Sequence, residues 1–162
     1  MSTKIRKSPP ICLTISLLRL AFRSLKTSKQ YVGKTIQMDE DGRFDLFRHI
    51  KSNQRINGEE AVVFIVSFKF ARFSHKVNKK LSIIPMLLIA GFPGFREKIY
   101  AVNKSNGYWH GMYQWESKKA LDEYKKSFVL KMMNKRAIPN TVKYAELHKQ
   151  ILNDYIENII SH

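Results

Sequence analysis

The chain has little of several features that define common protein classes. It contains one cysteine, Cys12, so it cannot form an internal disulfide or a cysteine-based zinc site. This favours a reducing compartment, and we expect a cytoplasmic protein. The glycines at 91–94 are not followed by the lysine and hydroxyl residue of a phosphate loop. Nucleophile elbows, paired metal-binding histidines and carboxylate dyads are also missing, so we expect no bound metal.

Long apolar runs are missing as well. The run at 11–18 ends at Arg19 and is far shorter than the roughly 20 residues needed to cross a bilayer. Basic residues precede this run, as in a secretory signal, but no small-x-small cleavage site follows it. The pattern therefore predicts neither a membrane span nor a secretory signal.

Acidic residues are absent from the first 38 positions, which hold eight basic residues. The whole chain has a net charge of +16. This asymmetry indicates an anionic partner for the N-terminal segment, either a membrane surface or nucleic acid. The alternative is that the charge only keeps a basic chain in solution.

The segment 11–26 is typical of a basic amphipathic helix. One stripe carries the apolar residues and the other the polar and basic ones. The apolar stripe consists of Ile11, Ile15, Leu18, Phe22 and Leu25. Such a helix either lies on an anionic membrane or packs its apolar stripe against the main domain, and both alternatives remain open.

The remaining pattern predicts a mixed α+β domain. A hairpin with strands at 34–38 and 43–51, turning at Asp41 and Gly42, is expected along a sheet edge, and the polar segment 52–60 is a linker candidate. The continuous apolar run at 61–70 predicts a central strand buried on both faces. A helix interrupted by Pro85 follows at 74–90, then strands at 96–102 and 108–115.

Ser117 offers an N-cap to a helix with Leu121, Tyr124, Phe128 and Met132 on one face, followed by a strand at 141–147 and a helix at 150–160. From 61 to 147 the order is that of a ferredoxin-like unit, an antiparallel sheet with two helices on one face. We expect residues 1–33 to form a basic extension, 34–147 the domain with its added hairpin, and 148–162 a C-terminal helix.

The strand at 108–115 carries aromatic residues on both faces. Gly111, Tyr113 and Trp115 share one face, and Tyr108, His110, Met112 and Gln114 share the other. This pattern fits either a packed core or the wall of a pocket. The open face of the sheet could bind RNA or a second subunit, but the sequence NGYWHGMYQW matches the RNA-recognition motif poorly. Nucleic acid is therefore not favoured as a partner.

Two segments resemble the dimeric α+β barrel superfamily, which includes antibiotic-biosynthesis monooxygenases. They are GFPGFR at 91–96, leading into a strand, and GMYQWES at 111–117, leading into a Ser-capped helix. The resemblance covers about residues 44–147. It implies a homodimer with two sheets packed face to face, and an apolar cavity in each subunit that is sometimes used for oxygenation without metal or flavin. Haem-degrading and inactive relatives also exist, so haem or flavin is not excluded.

On this basis the sequence predicts a cofactor-independent monooxygenase for an apolar aromatic or polycyclic substrate. His110 is the candidate base, with His75 as a second candidate, and Arg96 would stabilise a phenolate or enolate. A histidine bonded at a dimer interface is the alternative role for His110. The residues expected to bind the substrate are Tyr100, Tyr108, Met112, Tyr113 and Trp115. The alternative function is a non-catalytic dimer that binds a small apolar ligand and attaches to anionic membranes through its N-terminal helix.

Overall fold

The computed structural model describes residues 8–38 and 42–160. The helices in this part of the chain are α1 (Pro9–Ala21), α2 (His75–Leu81), α3 (Ile83–Ala90), α4 (Lys118–Lys125), α5 (Phe128–Arg136) and α6 (Leu152–Ile159). The strands are β1 (Leu25–Thr27), β2 (Thr35–Met38), β3 (Gly42–Ser52), β4 (Val62–Lys69), β5 (Phe95–Val102), β6 (Tyr108–Trp115) and β7 (Lys143–His148). Asp41, of the predicted turn, and the basic residues Lys4, Arg6 and Lys7 lie outside the described residues.

All seven strands belong to one antiparallel sheet. Its order is β1-β3-β5-β6-β4-β7. Both β1 and β2 pair with β3, β2 with its first residues and β1 with its last. The segment from β4 to β7 alone has the order β7-β4-β6-β5, which is that of a ferredoxin-like unit. The predicted fold class and the predicted position of the 34–51 hairpin at a sheet edge are therefore confirmed.

The two faces of the sheet have separate cores. The helix-side face, exemplified by Phe64 and Tyr113, packs against α3, α4 and α5. The opposite face, exemplified by Ile99 and Met112, packs against α6 and against Ile36 of β2. Strand alternation puts neighbouring residues of β5 and β6 into different cores, so each residue can serve only one face.

The opposite face is covered within the single chain. Leu152 and Ile156 of α6 are fully buried on it, and Ile36 forms an isolated bridge with Ile160 beside them. A second subunit was expected to cover this face. The homodimer stays a prediction, and any dimer that retains α6 in this position would use another surface.

Helix boundaries differ from the sequence prediction in two places. The predicted helix at 74–90 breaks at Ser82 rather than at Pro85. Pro85 is the third residue of α3. A backbone N–H at this position has no acceptor within the helix, so a proline there costs no helical hydrogen bond. The helix predicted from Ser117 onward divides at Ser127, whose hydroxyl accepts a hydrogen bond from the Leu130 N–H and starts α5.

The N-terminal helix packs mainly through its small residues and leaves the C-terminal part of its apolar stripe exposed. Cys12 and Ser16 are fully buried, whereas Leu18 and Phe22 are 51% and 79% exposed. The helix also ends at Ala21, so Leu25 lies in β1. Of the two alternatives for the apolar stripe, packing against the main domain is therefore not observed at Leu18 and Phe22. The reason is a close backbone contact, because a Cβ on Gly91 would lie 1.8 Å from the Cys12 carbonyl oxygen.

A bulge changes the faces of β3. Pairing with β5 shifts between Leu46 and Arg48, so the alternation expected from Phe44 to Ile50 is interrupted. Phe44 and Leu46 point to the opposite face, but Ile50 joins the helix-side core. His49 is consequently buried on the opposite face together with Leu46. In a regular strand these two residues, three positions apart, would lie on different faces.

Candidate functional site

A small cavity lies between the helix-side face of the sheet and helices α3 and α5. Its free volume is about 20 Å³, which is room for about one water molecule. Phe70 of the sheet side and Met133 and Arg136 of α5 are the half-exposed residues of its wall. The residues around it are Phe68, Phe70, Ser82, Pro85, Lys98, Tyr100, Trp109, His110, Gly111, Tyr113, Met133 and Arg136.

Lys98 places a buried amine at this cavity. The residue is fully buried, and its Nζ has no hydrogen-bond partner among the described residues. The register puts Lys98 directly opposite Tyr113 and two positions before Tyr100 on the same face. Nζ lies 3.9 Å from the Tyr100 ring centroid and 4.2 Å from that of Tyr113.

The surroundings of Lys98 favour the neutral amine. Burial, together with the nearby positive charge of Arg48, holds the pKa of Lys98 well below its ordinary value of 10.5. The two ring faces oppose this shift, each by up to about 2 kcal/mol. Burying a cation without a counter-ion costs several kcal/mol, and a second cation adds to that cost. Burial therefore favours the neutral amine, which is the form that can accept a proton.

Gly111 leaves room beside the tyrosines. It pairs with Tyr100 across the two strands, and an added Cβ would lie 2.9 Å from the Tyr113 hydroxyl oxygen. A side chain here would therefore displace the Tyr113 ring. The glycine of the GMYQWES segment thus leaves room for that ring in its present position.

The two tyrosine hydroxyls remain protonated in this apolar setting. Burial raises the pKa of Tyr100 and of Tyr113 above the usual value near 10. The Tyr100 hydroxyl points toward the Ser82 carbonyl oxygen at 3.5 Å, and that of Tyr113 toward the Met133 sulfur at 4.0 Å. Both can therefore act as hydrogen-bond donors to a ligand.

His110 does not direct its imidazole at this cavity. Its Nε2 lies 2.9 Å from the Ser67 hydroxyl oxygen, and its ring lies 4.2 Å from that of Phe44, a residue of the opposite core. Met112 is fully buried in the same opposite core. These two predicted site residues are thus separated by the sheet from Tyr100 and Tyr113.

The other predicted site residues lie in three different places. The Arg96 guanidinium donates to Gln54 at 2.8 Å and pairs with Glu116, in a groove beside α1. Trp115 is stacked on Tyr124 in the helix-side core and is not part of the cavity wall. Tyr108 lies at the end of β6, with the Lys69 amine 4.6 Å from its ring.

His75 lies near the cavity and was the second candidate base. Its Nδ1 accepts a hydrogen bond from the indole N–H of Trp109 at 2.9 Å. Trp109 itself lines the cavity. The imidazole thus holds the indole in place from outside the wall.

Two buried charge-bearing groups escaped the sequence prediction. Lys98 is one, although its spacing from Tyr100 within FREKIYAV could have revealed it. The other is a pair on the opposite face, where His49 Nε2 lies 2.6 Å from a Glu97 carboxylate oxygen. Sequence could not reveal that pair, because the β3 bulge brings His49 to this face.

Neither a metal site nor a membrane span is found in the described part of the chain. Within residues 8–38 and 42–160, no group of three or more metal-ligating side chains converges. Over the same residues, helices are too short or too polar to cross a bilayer.

Comparison with known proteins shows the fold. No family model and no curated protein matches this chain. Among solved structures, the heme-degrading enzyme LmHde of Listeria monocytogenes aligns with a TM-score of 0.50 and 13% identity, covering 82% of this chain and 92% of that one.

Two further structures give similar alignments. A Listeria monocytogenes ferredoxin-fold protein related to antibiotic-biosynthesis monooxygenases has a TM-score of 0.50 and 11% identity, covering 79% and 93% of the two chains. A monooxygenase-like protein of Listeria innocua has a TM-score of 0.50 and 12% identity, covering 76% and 90%. The predicted resemblance is confirmed at the level of the fold. Sequence identities this low give no information about the reaction or the substrate.

Proposed function

We propose that this protein is a cofactor-independent monooxygenase that acts on an apolar aromatic substrate in the helix-side cavity. The observation that carries the proposal is a buried amine held between two tyrosine rings, inside an otherwise aromatic and apolar wall. The monooxygenase-like fold supports it. The substrate would be electron-rich enough to reduce dioxygen directly, once a proton has been removed from it.

The substrate enters only when the cavity opens. A volume of about 20 Å³ cannot hold an aromatic ring, so Met133 and Arg136 must swing outward. Both side chains are long and unbranched, and methionine adapts readily to new neighbours. Once bound, the substrate is shielded from water, and one oxygen atom of dioxygen enters a substrate CH₂ group as C=O while the other leaves as water.

Haem does not fit the residues present. The His110 imidazole, which could serve as an axial ligand, bonds Ser67 on the opposite face of the sheet. His75 is engaged with Trp109. Neither imidazole is therefore available to haem in this cavity.

Oxygen consumption tests the proposed function. Purified protein is expected to consume dioxygen with naphthols, anthrones or quinols as substrates, and mass spectrometry should find one oxygen atom from ¹⁸O₂ in the product. Because the His110 imidazole faces away from the cavity, His110→Gln should retain most of the rate. Heat-denatured protein is the control. Absence of uptake with every compound would refute the proposal, and loss of uptake in His110→Gln would restore His110 as the candidate base.

A second candidate function is a ligand-binding protein that attaches to anionic membranes through α1. The observation in its favour is the outward orientation of large apolar residues in the last turns of this helix and at its C-cap. Leu17, Leu18 and Phe22 are 50%, 51% and 79% exposed. Arg23, Lys26 and Lys29 follow closely and are exposed, and each can contribute about 1 kcal/mol near an anionic surface.

Vesicle sedimentation tests this attachment. Wild-type protein is expected to sediment with phosphatidylserine-containing vesicles and to remain in the supernatant with phosphatidylcholine alone. The triple substitution Leu17→Ser, Leu18→Ser, Phe22→Ser should reduce sedimentation at least tenfold, because it removes the apolar face without touching Cys12 or Ser16. Phe73→Ser, which removes another exposed aromatic (66%), is the control. Equal sedimentation of the triple variant would reject the attachment.

A further inference from the structure

The unpaired amine of Lys98 has a consequence for the kind of ligand that the cavity accepts. We propose that Lys98 takes the acidic proton of the ligand, so that the cavity holds an aromatic weak acid as its anion beside a protonated Lys98. The inference rests on the proposed function for the place where the ligand binds. It adds the charge state of the ligand and a role for a residue that no sequence motif marks.

The charged and titratable groups around Lys98 lack an anion. Arg48 approaches from β3, the Tyr100 and Tyr113 rings from β5 and β6, and Arg136 from α5. From α3 and the segment before it come only Pro85 and Ser82. Among the described residues, no aspartate or glutamate lines the cavity. Any negative charge that pairs with Lys98 must therefore come from the ligand.

An ion pair between Lys98 and the ligand would lower the free-energy cost of burying charge in the cavity. A lone cation is costly in this apolar site, and so is a lone anion, but an ion pair at contact distance offsets much of the cost of both. The ligand enters as a neutral acid. Its O–H bond breaks and an N–H bond forms on Lys98, which leaves the negative charge on the ligand oxygen. No proton is exchanged with solvent in this step.

The surroundings can hold such an anion. The Tyr100 and Tyr113 hydroxyls keep their protons, since burial raises the pKa of each. They can donate to the ligand oxygen in place of their weak contacts with the Ser82 carbonyl and the Met133 sulfur. A phenolate formed here is also a much better electron donor to dioxygen than the neutral phenol, which connects this inference to the proposed function.

The absorption spectrum of a bound nitrophenol tests the proton transfer. 4-Nitrophenol absorbs at longer wavelength as its phenolate than as its neutral form, and it does not react with dioxygen. At a pH one unit below the pKa of the free phenol, wild-type protein is expected to bind it with a phenolate spectrum. Lys98→Met should remove that band and weaken nitrophenol binding at least about tenfold.

Two controls isolate the effect. 4-Nitroanisole, which has no acidic proton, should bind wild type and Lys98→Met within about twofold of each other. Lys131→Met, which changes an exposed lysine of α5, should behave as wild type. A bound nitrophenol that keeps its neutral spectrum in the wild type would overturn the inference, as would absence of nitrophenol binding.

These outcomes are independent of turnover. A phenolate band without oxygen consumption by any substrate would support the role of Lys98 and count against the monooxygenase. Oxygen consumption without a phenolate band would overturn the role of Lys98 and leave the monooxygenase in place.

Discussion

Replacing Lys98 by methionine is expected to stabilise the folded protein by several kcal/mol at pH 7. The amine is fully buried and has no hydrogen-bond partner among the described residues, so its removal relieves the cost of burying an unpaired polar group. Methionine has nearly the same length, fills the same space and can contact the Tyr100 and Tyr113 rings through its sulfur.

The stabilisation by Lys98→Met is expected to decrease as the pH rises. The pKa of Lys98 is lower in the folded protein than in the unfolded chain. Between the folded value and about 10.5 the unfolded chain therefore binds one more proton, and wild-type stability rises with pH by up to about 1.4 kcal/mol per unit. Lys98→Met lacks this term, so its advantage over wild type should shrink as the pH rises.

Urea unfolding of both proteins at pH 7, 8 and 9 measures this difference. Lys131→Met serves as the matched control, since it removes an exposed lysine. A variant that is less stable than wild type would show that the two ring faces outweigh the burial cost. An advantage that does not change with pH would show that Lys98 is charged in the folded state.

Replacing Gly91 by alanine is expected to detach α1 from the sheet domain, at a cost of about 3 kcal/mol. The new Cβ would lie 1.8 Å from the Cys12 carbonyl oxygen and 2.5 Å from its carbonyl carbon. These are backbone atoms that cannot rotate away, so the whole helix would have to retreat, at the upper end of what overpacking usually costs. Arg19, which donates to the Ala90 carbonyl oxygen at 2.6 Å, would lose its bond as well.

The single cysteine reports this detachment. Cys12 is fully buried, and burial raises the pKa of its thiol to about 11, so wild type should react slowly with a disulfide reagent. Gly91→Ala should react about a hundredfold faster. Gly58→Ala is the matched control, because an added Cβ there meets no atom within 4 Å. Equal thiol reactivity in Gly91→Ala and wild type would show that α1 accommodates the methyl group.

The sequence predicts the ferredoxin-like unit because its signals are local. The continuous run of β4 and the aromatic runs of β5 and β6 each determine an element from their own residues. The break at Ser82 was predicted three residues too late, at Pro85, and the break at Ser127 was not predicted, since the periodic pattern of apolar residues continues across both. A capping serine within such a pattern is a weak signal until the packing of the helices is known.

The site was less predictable than the fold. Strand alternation correctly placed Tyr113 and His110 on different faces, but it was not applied to Tyr100, which the structure puts on the face of Tyr113. Which face holds the cavity depends on how α3 and α5 pack, and that information is not in β6 itself. The orientation of α1 was similarly hidden, because the contact at Gly91 is a tertiary one and overrides the amphipathic pattern.

The most direct test of the helix-side cavity uses the indole N–H signals of the two tryptophans. Trp109 lines the cavity, whereas Trp115 is buried in the core outside its wall. Titration of ¹⁵N-labelled protein with 1-naphthol, with Trp109→Phe used for assignment, should shift the Trp109 indole signal and leave that of Trp115 in place. Saturation with naphthol that leaves the Trp109 signal unmoved would contradict a ligand site between the sheet and helices α3 and α5.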